Sequence, residues 1–442
     1  MSDTVSHKIH KALKLRIYPS EEQRVILDKT FGCCRVVYNE RLTEHINYYN
    51  TYKDNPNRPK FKGTLVKELR EKKYSWLGED TIAEALGQSQ RNCEQAYSNF
   101  FNSLKGNRKG KKVGYPKFKS KKSHKDSFTL YMIKVKDLVD FDSRTIFIPK
   151  LKSTEFRIAN SSLKSKWIEW FLEAVPLSIT ISRNACGEYY CSILFEKEQD
   201  LEQNIRLSNS IGLDFSPNNL YIDSNNNSAP NYKPYKQLNS KKLTKLQRRL
   251  SRKQKGSKNH EKARVKLARF EKHITDSRKD YIEKETLRLV KTYGVIGIED
   301  LNLQGMMKFS HNAKNYVDTS WYTFTQKLIW KSQFNNCIII KSDRFYPSSK
   351  TCNHCGYVNK NLTLRDRKWI CPNCDTEIIR DENAAQNLRD NAINLLTEEI
   401  NSVLGMGRTE VMSMEDMEAI YLNGMLSGVS YEVEKIDCEI NR

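Results

Sequence analysis

The sequence predicts a multi-domain α+β protein: a β-rich N-terminal half interrupted by helices, then an α/β unit interrupted by a four-cysteine ribbon. Three observations predict it. Short alternating or aromatic-rich segments (SFTLYMI, TIFIPK, SITISR and YYCSILFEK) crowd residues 127–200. The apolar runs IGLDFS, GVIGIED and NCIIIKS are separated by long, basic, helix-period stretches. Two Cys-x2-Cys pairs stand 15 residues apart near residue 360. A chain of 442 residues has room for roughly three domains and needs no disulfide staples.

Residues 11–18, KALKLRIY, alternate as a strand and stop at Pro19-Ser20, where Ser20 with Gln23 three residues on forms a capping box. The helix that follows runs to about Tyr49, and a second is expected from Thr81 to Leu104. Between Gly106 and His124 lies a glycine-punctuated basic connector. Its Pro116-Lys117-Phe118-Lys119 repeats Pro59-Lys60-Phe61-Lys62, too short a match to imply duplication. The strands of 127–200 suggest a small barrel or sandwich that embraces the strand at 11–18. A boundary falls near Ser208. IGLDFS then reads as a strand with YIDS as its hairpin mate, and 241–290 as basic helices broken at Gly256-Ser257. GVIGIED is a buried central strand, NCIIIKS another at 336–342, and a last helix runs from Glu382 to Leu396.

Lys plus Arg number 75 against 53 Asp plus Glu, a net charge of +22. Ten of the 21 residues from Lys105 to Lys125 are basic, as are 16 from Lys241 to Asp280, where acids number four. From Thr397 the balance inverts, with ten acids against three bases, and this tail reads as a disordered end. Such concentrated charge points to nucleic acid. No apolar run approaches the ~20 residues of a membrane span, and the first residues lack a signal-peptide core. A transporter and a secreted disulfide scaffold are therefore not expected; a cytoplasmic, nucleoid-associated protein is.

Of the 11 cysteines, Cys352, Cys355, Cys371 and Cys374 form two knuckles, TCNHCGY and WICPNCD. Four thiolates at ~2.3 Å from one ion make a closed structural zinc site, with no position left for water. His354 reads as a bystander.

Three acids stand where a metal-dependent nuclease needs them: Asp214 in IGLDFS, Glu299 at the end of GVIGIE and Asp381 at the start of the last helix. A carboxylate beside Val295-Ile296-Gly297-Ile298 is costly unless it meets a cation. Three together would repel one another and take up divalent metal. Two Mg²⁺ ions about 4 Å apart activate water and stabilise the leaving oxygen of a phosphodiester, with Asp214 as the bridge. Taken singly, Asp214 and Asp381 also fit caps, and Asp300 competes with Glu299 because adjacent strand residues face opposite sides. Asp223, Asp343 and Asp366 read as turn acids. Arg380 fits either a phosphate contact or a carboxylate pair.

KALKLRIYPSEEQ, FGCCRVVYNERL, IGLDFS, the basic stretch from KLQRRLSRKQKG to HITDSRKD, VIGIEDLNLQGM, DRFYPSSKTCNHCGY, WICPNCD and DENAAQNL together resemble the TnpB family of insertion-sequence proteins, compact relatives of type V CRISPR effectors. The resemblance implies a wedge-type β-barrel at 1–20 and 106–207, interrupted by a helical recognition domain at 21–105. It implies a RuvC-like nuclease domain of RNase H fold at 208–345 and 378–396, split by a zinc-ribbon target-nucleic-acid-binding module at 346–377, with the acidic tail at 397–442. Its catalytic acids match Asp214, Glu299 and Asp381, and its zinc ligands the four knuckle cysteines. The implied activity is RNA-guided cleavage of double-stranded DNA beside a short transposon-adjacent motif. The implied partners are a guide RNA derived from the transposon end, one per monomer, and the target DNA, with no membrane.

The family pattern usually carries DRD before NAA, where this chain has Ile379-Arg380-Asp381, and a small residue then Gly after its first Asp, where Phe215-Ser216-Pro217 stand here. The resemblance makes the basic regions candidates for phosphate contact: Lys109, Lys111, Lys112, Lys117 and Lys119 in the connector, Arg248, Arg249, Arg252, Lys253 and Lys255 in the helices, and Arg380. Tyr115 and Phe118 fit either base stacking or packing beneath the loop. Two alternative functions stay open on sequence: a guided DNA-binding repressor without cleavage, and a transposase or resolvase that needs no RNA.

Overall fold

The computed structural model describes residues 6–108, 112–123, 125–131, 138–158, 166–200, 209–309, 313–363 and 365–404. They form two compact units, one of residues 7–199 and one from residue 200 onward.

The first unit begins with β1 (Ser6–Tyr18), followed by α1 (Glu21–Tyr52). The expected capping box starts α1: Ser20 Oγ accepts from the Gln23 amide at 3.3 Å, and Gln23 Oε1 accepts from the Ser20 amide at 2.9 Å. Helices α2 (Val66–Lys72) and α3 (Ala83–Leu104) come next. α3 packs on α1, where the His45 ring stacks between Phe61 and Tyr97 at centroid distances of 3.9 and 4.2 Å. Strands β2 (Asp126–Tyr131), β3 (Val139–Asp140), β4 (Thr145–Ile148) and β5 (Lys152–Phe156) precede α4 (Lys166–Glu173), β6 (Val175–Arg183) and β7 (Tyr189–Asp200).

These strands form one seven-stranded sheet in the order β2-β6-β7-β1-β5-β4-β3. The sheet does embrace β1, but it is open: its two ends, β2 and β3, do not pair, so the expected wedge-type barrel is not formed. Closure requires edge strands with free ladder groups. At the β2 end α3 lies against the strand, and the Tyr131 amide donates to Glu84 Oε1 of that helix at 2.9 Å. At the other end β3 offers only two residues.

Asp126, at the start of β2, ties the sheet to α1. Its carboxylate accepts from Arg35 at 2.8 Å and from Arg183 at 2.7 Å, and its side chain is 8% exposed. Burial pushes this carboxyl up, but the two guanidinium hydrogen bonds outweigh burial and hold it below the usual carboxylate range. Its stabilisation is complete above the unfolded value of about 3.9 and is lost as pH falls through the lower folded one. Asp126→Ala is expected to cost about 3 kcal/mol by stripping Arg35 of its partner and leaving Arg183 with Asp28 alone, measured by urea unfolding at pH 7. The difference should shrink at low pH.

The second unit contains β8 (Ser210–Ser216), β9 (Leu220–Asp223), α5 (Tyr235–Leu238), α6 (Ser240–Ser251) and α7 (Lys258–Thr292). The break between α6 and α7 falls where expected, with Gly256 at φ +85° and Ser257 capping α7 through the His260 amide. Next come β10 (Val295–Glu299), α8 (Leu303–Phe309), α9 (Ala313–Thr319), α10 (Trp321–Ser332) and β11 (Ile338–Ser342). The hairpin β12 (Lys368–Ile370) and β13 (Glu377–Ile379) leads directly into α11 (Arg380–Leu404). α11 continues eight residues past the expected end at Leu396, and the tail from 405 lies outside the described residues.

The main sheet has the order β11-β10-β8-β9, with β8, β10 and β11 parallel and β9 antiparallel to β8. Side-chain alternation gives it two unlike faces. Ile211, Leu213, Ile296 and Ile298 pack with Leu289 of α7 and Phe324 and Leu328 of α10 in one buried core. Gly212 and Gly297 present the other face, on which α11 lies. A Cβ on Gly212 would sit 1.9 Å from the Ala385 carbonyl oxygen, and one on Gly297 would sit 2.2 Å from that of Leu388. Only glycine admits a helix backbone this close.

Candidate functional site

Asp214 and Glu299 each lie two residues beyond one of these glycines, so alternation puts both on the α11 face. β8 and β10 pair in register as Gly212 with Gly297 and Leu213 with Ile298. One residue further, Asp214 and Glu299 stand side by side at the carboxyl ends of parallel strands. Asp381 comes to them in the first turn of α11. The charges of Glu299 and Asp381 both act on Asp214. Together with burial, the larger cause, they push its carboxyl well above the usual range, against the pull of Arg380 and Arg367. Burial likewise raises Glu299, opposed by a hydrogen bond from Ser348 and by the Arg380 charge.

Glu299 and Asp381 are each held by residues outside the sheet. Ser348 Oγ donates to Glu299 Oε1 at 2.7 Å. Arg367 reaches both Asp381 oxygens, at 3.0 and 3.2 Å, and Arg380 reaches Oδ1 at 3.1 Å. Arg380 is therefore engaged with a carboxylate, one of its two sequence readings. Asp300, the rival of Glu299, is paired instead with Arg344 at 2.5 Å. Asp223, Asp343 and Asp366 act as turn acids, accepting from the amides of Asn225, Phe345 and Thr363. Phe215 points away from the acids and packs on Trp321 and Tyr316 at 5.2 and 5.7 Å. Ile379 lies on β13 opposite Lys368.

The cysteine knuckles meet as the spacing predicts. Cys352 and Cys374 Sγ are 3.7 Å apart, Cys355 and Cys371 Sγ 3.5 Å, and all four sulfurs lie within 4.8 Å of one another. Four sulfurs at ~2.3 Å from a tetrahedral ion stand about 3.8 Å apart, so the cluster fits a zinc-like ion. Gly356, at φ +75°, completes the first turn, where its amide donates to the Cys352 carbonyl. A hydrogen bond with the Asn373 side chain and another from the Tyr357 backbone hold the Cys355 thiol down at about 6, which favours the thiolate a metal takes. The three carboxylates are more open than this cluster. Among the described residues only the four cysteines bring all their ligand atoms within that single-ion distance.

The ribbon and the acids share a scaffold that sequence reasoning missed. Asn383 and Asn387, both buried, donate to the Thr351 carbonyl at 2.7 Å, and Asn387 also donates to that of Ser348. Asn353, inside the first knuckle, donates its amide to Asn383 Oδ1 and its side chain to Asn387 and Asp390. One face of α11 thus clamps the knuckle loop, and that loop supplies the serine on Glu299. The available signal was an asparagine, a poor helix former, repeated at i and i+4 beside Ala384-Ala385.

The predicted nucleic-acid contacts divide. Arg248, Arg249, Arg252 and Lys253 line an open basic groove of about 840 Å³ along α6, and Lys255 is exposed in the turn after it. In the connector Lys112, Lys117 and Lys119 are exposed, with Lys119 Nζ 4.1 Å from the Tyr38 ring centroid. Tyr115, 40% exposed, packs edge-on against Tyr97 and Phe100, and Phe118 is 55% exposed. Lys109 and Lys111 lie outside the described residues. No described helix is long and apolar enough to cross a membrane.

Three families match the chain: one described as "Probable transposase" over residues 192–310, "Cas12f1-like, TNB domain" over 321–388, and "Helix-turn-helix domain" over 9–54. The last stretch is here a strand and a single long helix. A protein of Streptomyces pristinaespiralis named "Putative RNA-guided DNA endonuclease" is 29% identical over 86% of this chain and 89% of its own length. The Escherichia coli K12 protein named "Putative RNA-guided DNA endonuclease InsQ" is 28% identical over 86% and 91%. The mimivirus "TnpB-like protein L79" is 28% identical over 30% of this chain and 26% of its own.

Proposed function

The chain belongs to the TnpB family, relatives of the Cas12 effectors, and on that premise we propose that it is a Mg²⁺-dependent, RNA-guided DNA endonuclease of RuvC type. The observation that carries the reading is the convergence of Asp214, Glu299 and Asp381 on the α11 face of the parallel strands, with desolvation and mutual repulsion that a divalent cation would relieve. When bound, two Mg²⁺ ions supply an activated water and stabilise the leaving 3′ oxygen. Asp214, flanked by the other two, would hold metal in common with each of them. Glu299, held by Ser348, and Asp381, held by Arg367 and Arg380, each take one side. The four cysteines hold a structural zinc, which fixes the loop that carries Ser348.

Target choice then lies in guide pairing, and the protein's cations hold phosphates without reading bases. Residues 21–105 serve as the recognition module, 208–345 with 378–396 as the nuclease, and 346–377 as the target-binding ribbon. The α6 groove and the connector contact the guide RNA, derived from the transposon end, and the double-stranded target, one RNA per monomer in the cytoplasm.

The test is to co-express the chain with the DNA flanking its gene and sequence the RNA that co-purifies. A discrete RNA with a constant scaffold and a variable end is expected. DNA matching that end should be cut in Mg²⁺, and not in EDTA or after RNase treatment. Cleavage of transposon-end DNA that survives RNase would overturn the guided reading in favour of a transposase or resolvase.

A further inference from the structure

The loop from Asp343 to Ser348 leaves β11 at the carboxyl edge of the sheet, and both its ends are fastened beside the acids. Arg344 pairs with Asp300 at 2.5 Å, and Ser348 bonds Glu299 at 2.7 Å. Between these anchors the backbone is ordered. Asp343 accepts from the Phe345 amide at 2.8 Å through its side chain and from the Tyr346 amide at 3.0 Å through its carbonyl. Tyr346 turns inward, its hydroxyl 3.4 Å from the Asn387 carbonyl. Phe345 is thereby turned outward and is 87% exposed, the most exposed large apolar side chain among the described residues, where the next reach 66%. A phenyl ring on a rigid turn, bare to solvent, contributes nothing to the core.

We infer that Phe345 is a stacking platform for an unpaired base of the DNA strand entering the acid cluster, an assignment that rests on the nuclease reading above. Three residues of chain span at most about 10 Å, so the ring stands within about three nucleotides of a phosphate held at Glu299. The occupant is a single strand because the base faces of a duplex are already covered by their neighbours. An exposed aromatic stacks on any base, so the contact positions the strand without adding sequence preference.

The experiment uses the full chain with its co-purified guide RNA. Phe345→Ala is expected to slow guided cleavage about ten- to a hundredfold, the size of one base–aromatic stack, while Phe345→Trp and Phe345→Tyr stay near wild type. An abasic nucleotide walked through the strand around the mapped cut should reproduce the slowing in wild type at one position and add nothing there in Phe345→Ala. With Mg²⁺ withheld, where no strand is cut, a labelled single-stranded oligonucleotide should bind Phe345→Ala weaker by a similar factor. Wild-type cleavage with an unimpaired Phe345→Ala, or an abasic scan identical in both proteins, would overturn the stacking role while leaving the nuclease reading intact. Absence of wild-type cleavage would sink the nuclease reading, and the binding measurement without Mg²⁺ would still decide Phe345.

Discussion

Asp214→Asn is expected to lower guided cleavage by about 10³-fold or more while leaving nucleic-acid binding unchanged and raising the melting temperature when Mg²⁺ is withheld. The first effect follows from removing the charge shared by both ions, whose stabilisation of the transition state amounts to several kcal/mol. The second follows because Asp214 has no role in the basic groove of α6. The third is opposite in sign to most mutations at a functional site, and it separates a metal-binding cluster from a structural one. Burial and the charges of Glu299 and Asp381 raise the Asp214 carboxyl. A carboxyl raised in the folded chain keeps its proton longer there than in the unfolded one. Stability is therefore fully present below the unfolded value of about 3.9 and falls as pH climbs towards the folded value. The amide carries no charge and removes that fall. Each kcal/mol relieved is worth about 2–4 °C in a unit of this size. Added Mg²⁺ should reverse the order, stabilising wild type increasingly with pH and leaving Asp214→Asn unmoved. Calorimetry across pH 5–8, with and without Mg²⁺, reads all of this. If Asp214→Asn instead melts lower without Mg²⁺, the carboxylate is a structural hydrogen-bonding group and the metal assignment fails.

What the sequence made legible is whatever depends on neighbours along the chain. The capping box at Ser20 and Gln23, the helix break at Gly256-Ser257 and the two knuckles are short-range patterns with one physical solution each. Glu299 could be separated from Asp300 only once alternation had a face to refer to, and the structure supplies it: Glu299 lies beside Asp214, and Asp300 turns to Arg344. Barrel closure was not legible, because β2 and β3 are neighbours along the chain yet stand at opposite ends of a seven-stranded sheet, and whether those ends meet depends on the curvature of all seven strands together. Glu84 on α3, far from β2 in sequence, takes the amide at the end of that strand. The scaffold of the acids was missed for a similar reason. Ser348, Asn383, Asn387 and Arg367 carry ordinary polar side chains whose importance appears only when the ribbon folds back on α11.

One local signal did announce that scaffold: the glycine two residues before each strand acid, in Ile211-Gly212-Leu213-Asp214 and Ile296-Gly297-Ile298-Glu299. Gly212→Ala is expected to destabilise the second unit by about 1–3 kcal/mol or more and to reduce cleavage at least about a hundredfold. The added methyl meets backbone on two sides, the Ala385 oxygen at 1.9 Å and the Arg389 nitrogen at 2.6 Å, and a helix backbone yields only by moving as a whole. Gly297→Ala meets the Leu388 oxygen at 2.2 Å and should act alike. Displacing α11 draws Asp381 away from Asp214 and loosens the asparagine clamp on the knuckle loop, so one methyl that touches none of the acids disturbs two of the three. The double variant should cost less than the sum of the singles, because a helix already lifted by one methyl clears the other. Gly32→Ala serves as the control: it lies in α1 with nothing within 4 Å of the added methyl, and should stabilise by about 0.5–1 kcal/mol through helix propensity alone. If Gly212→Ala melts and cleaves like wild type, α11 is not what sets the position of Asp381. The approach of the third acid would then have to come from the Arg367 and Arg380 contacts instead.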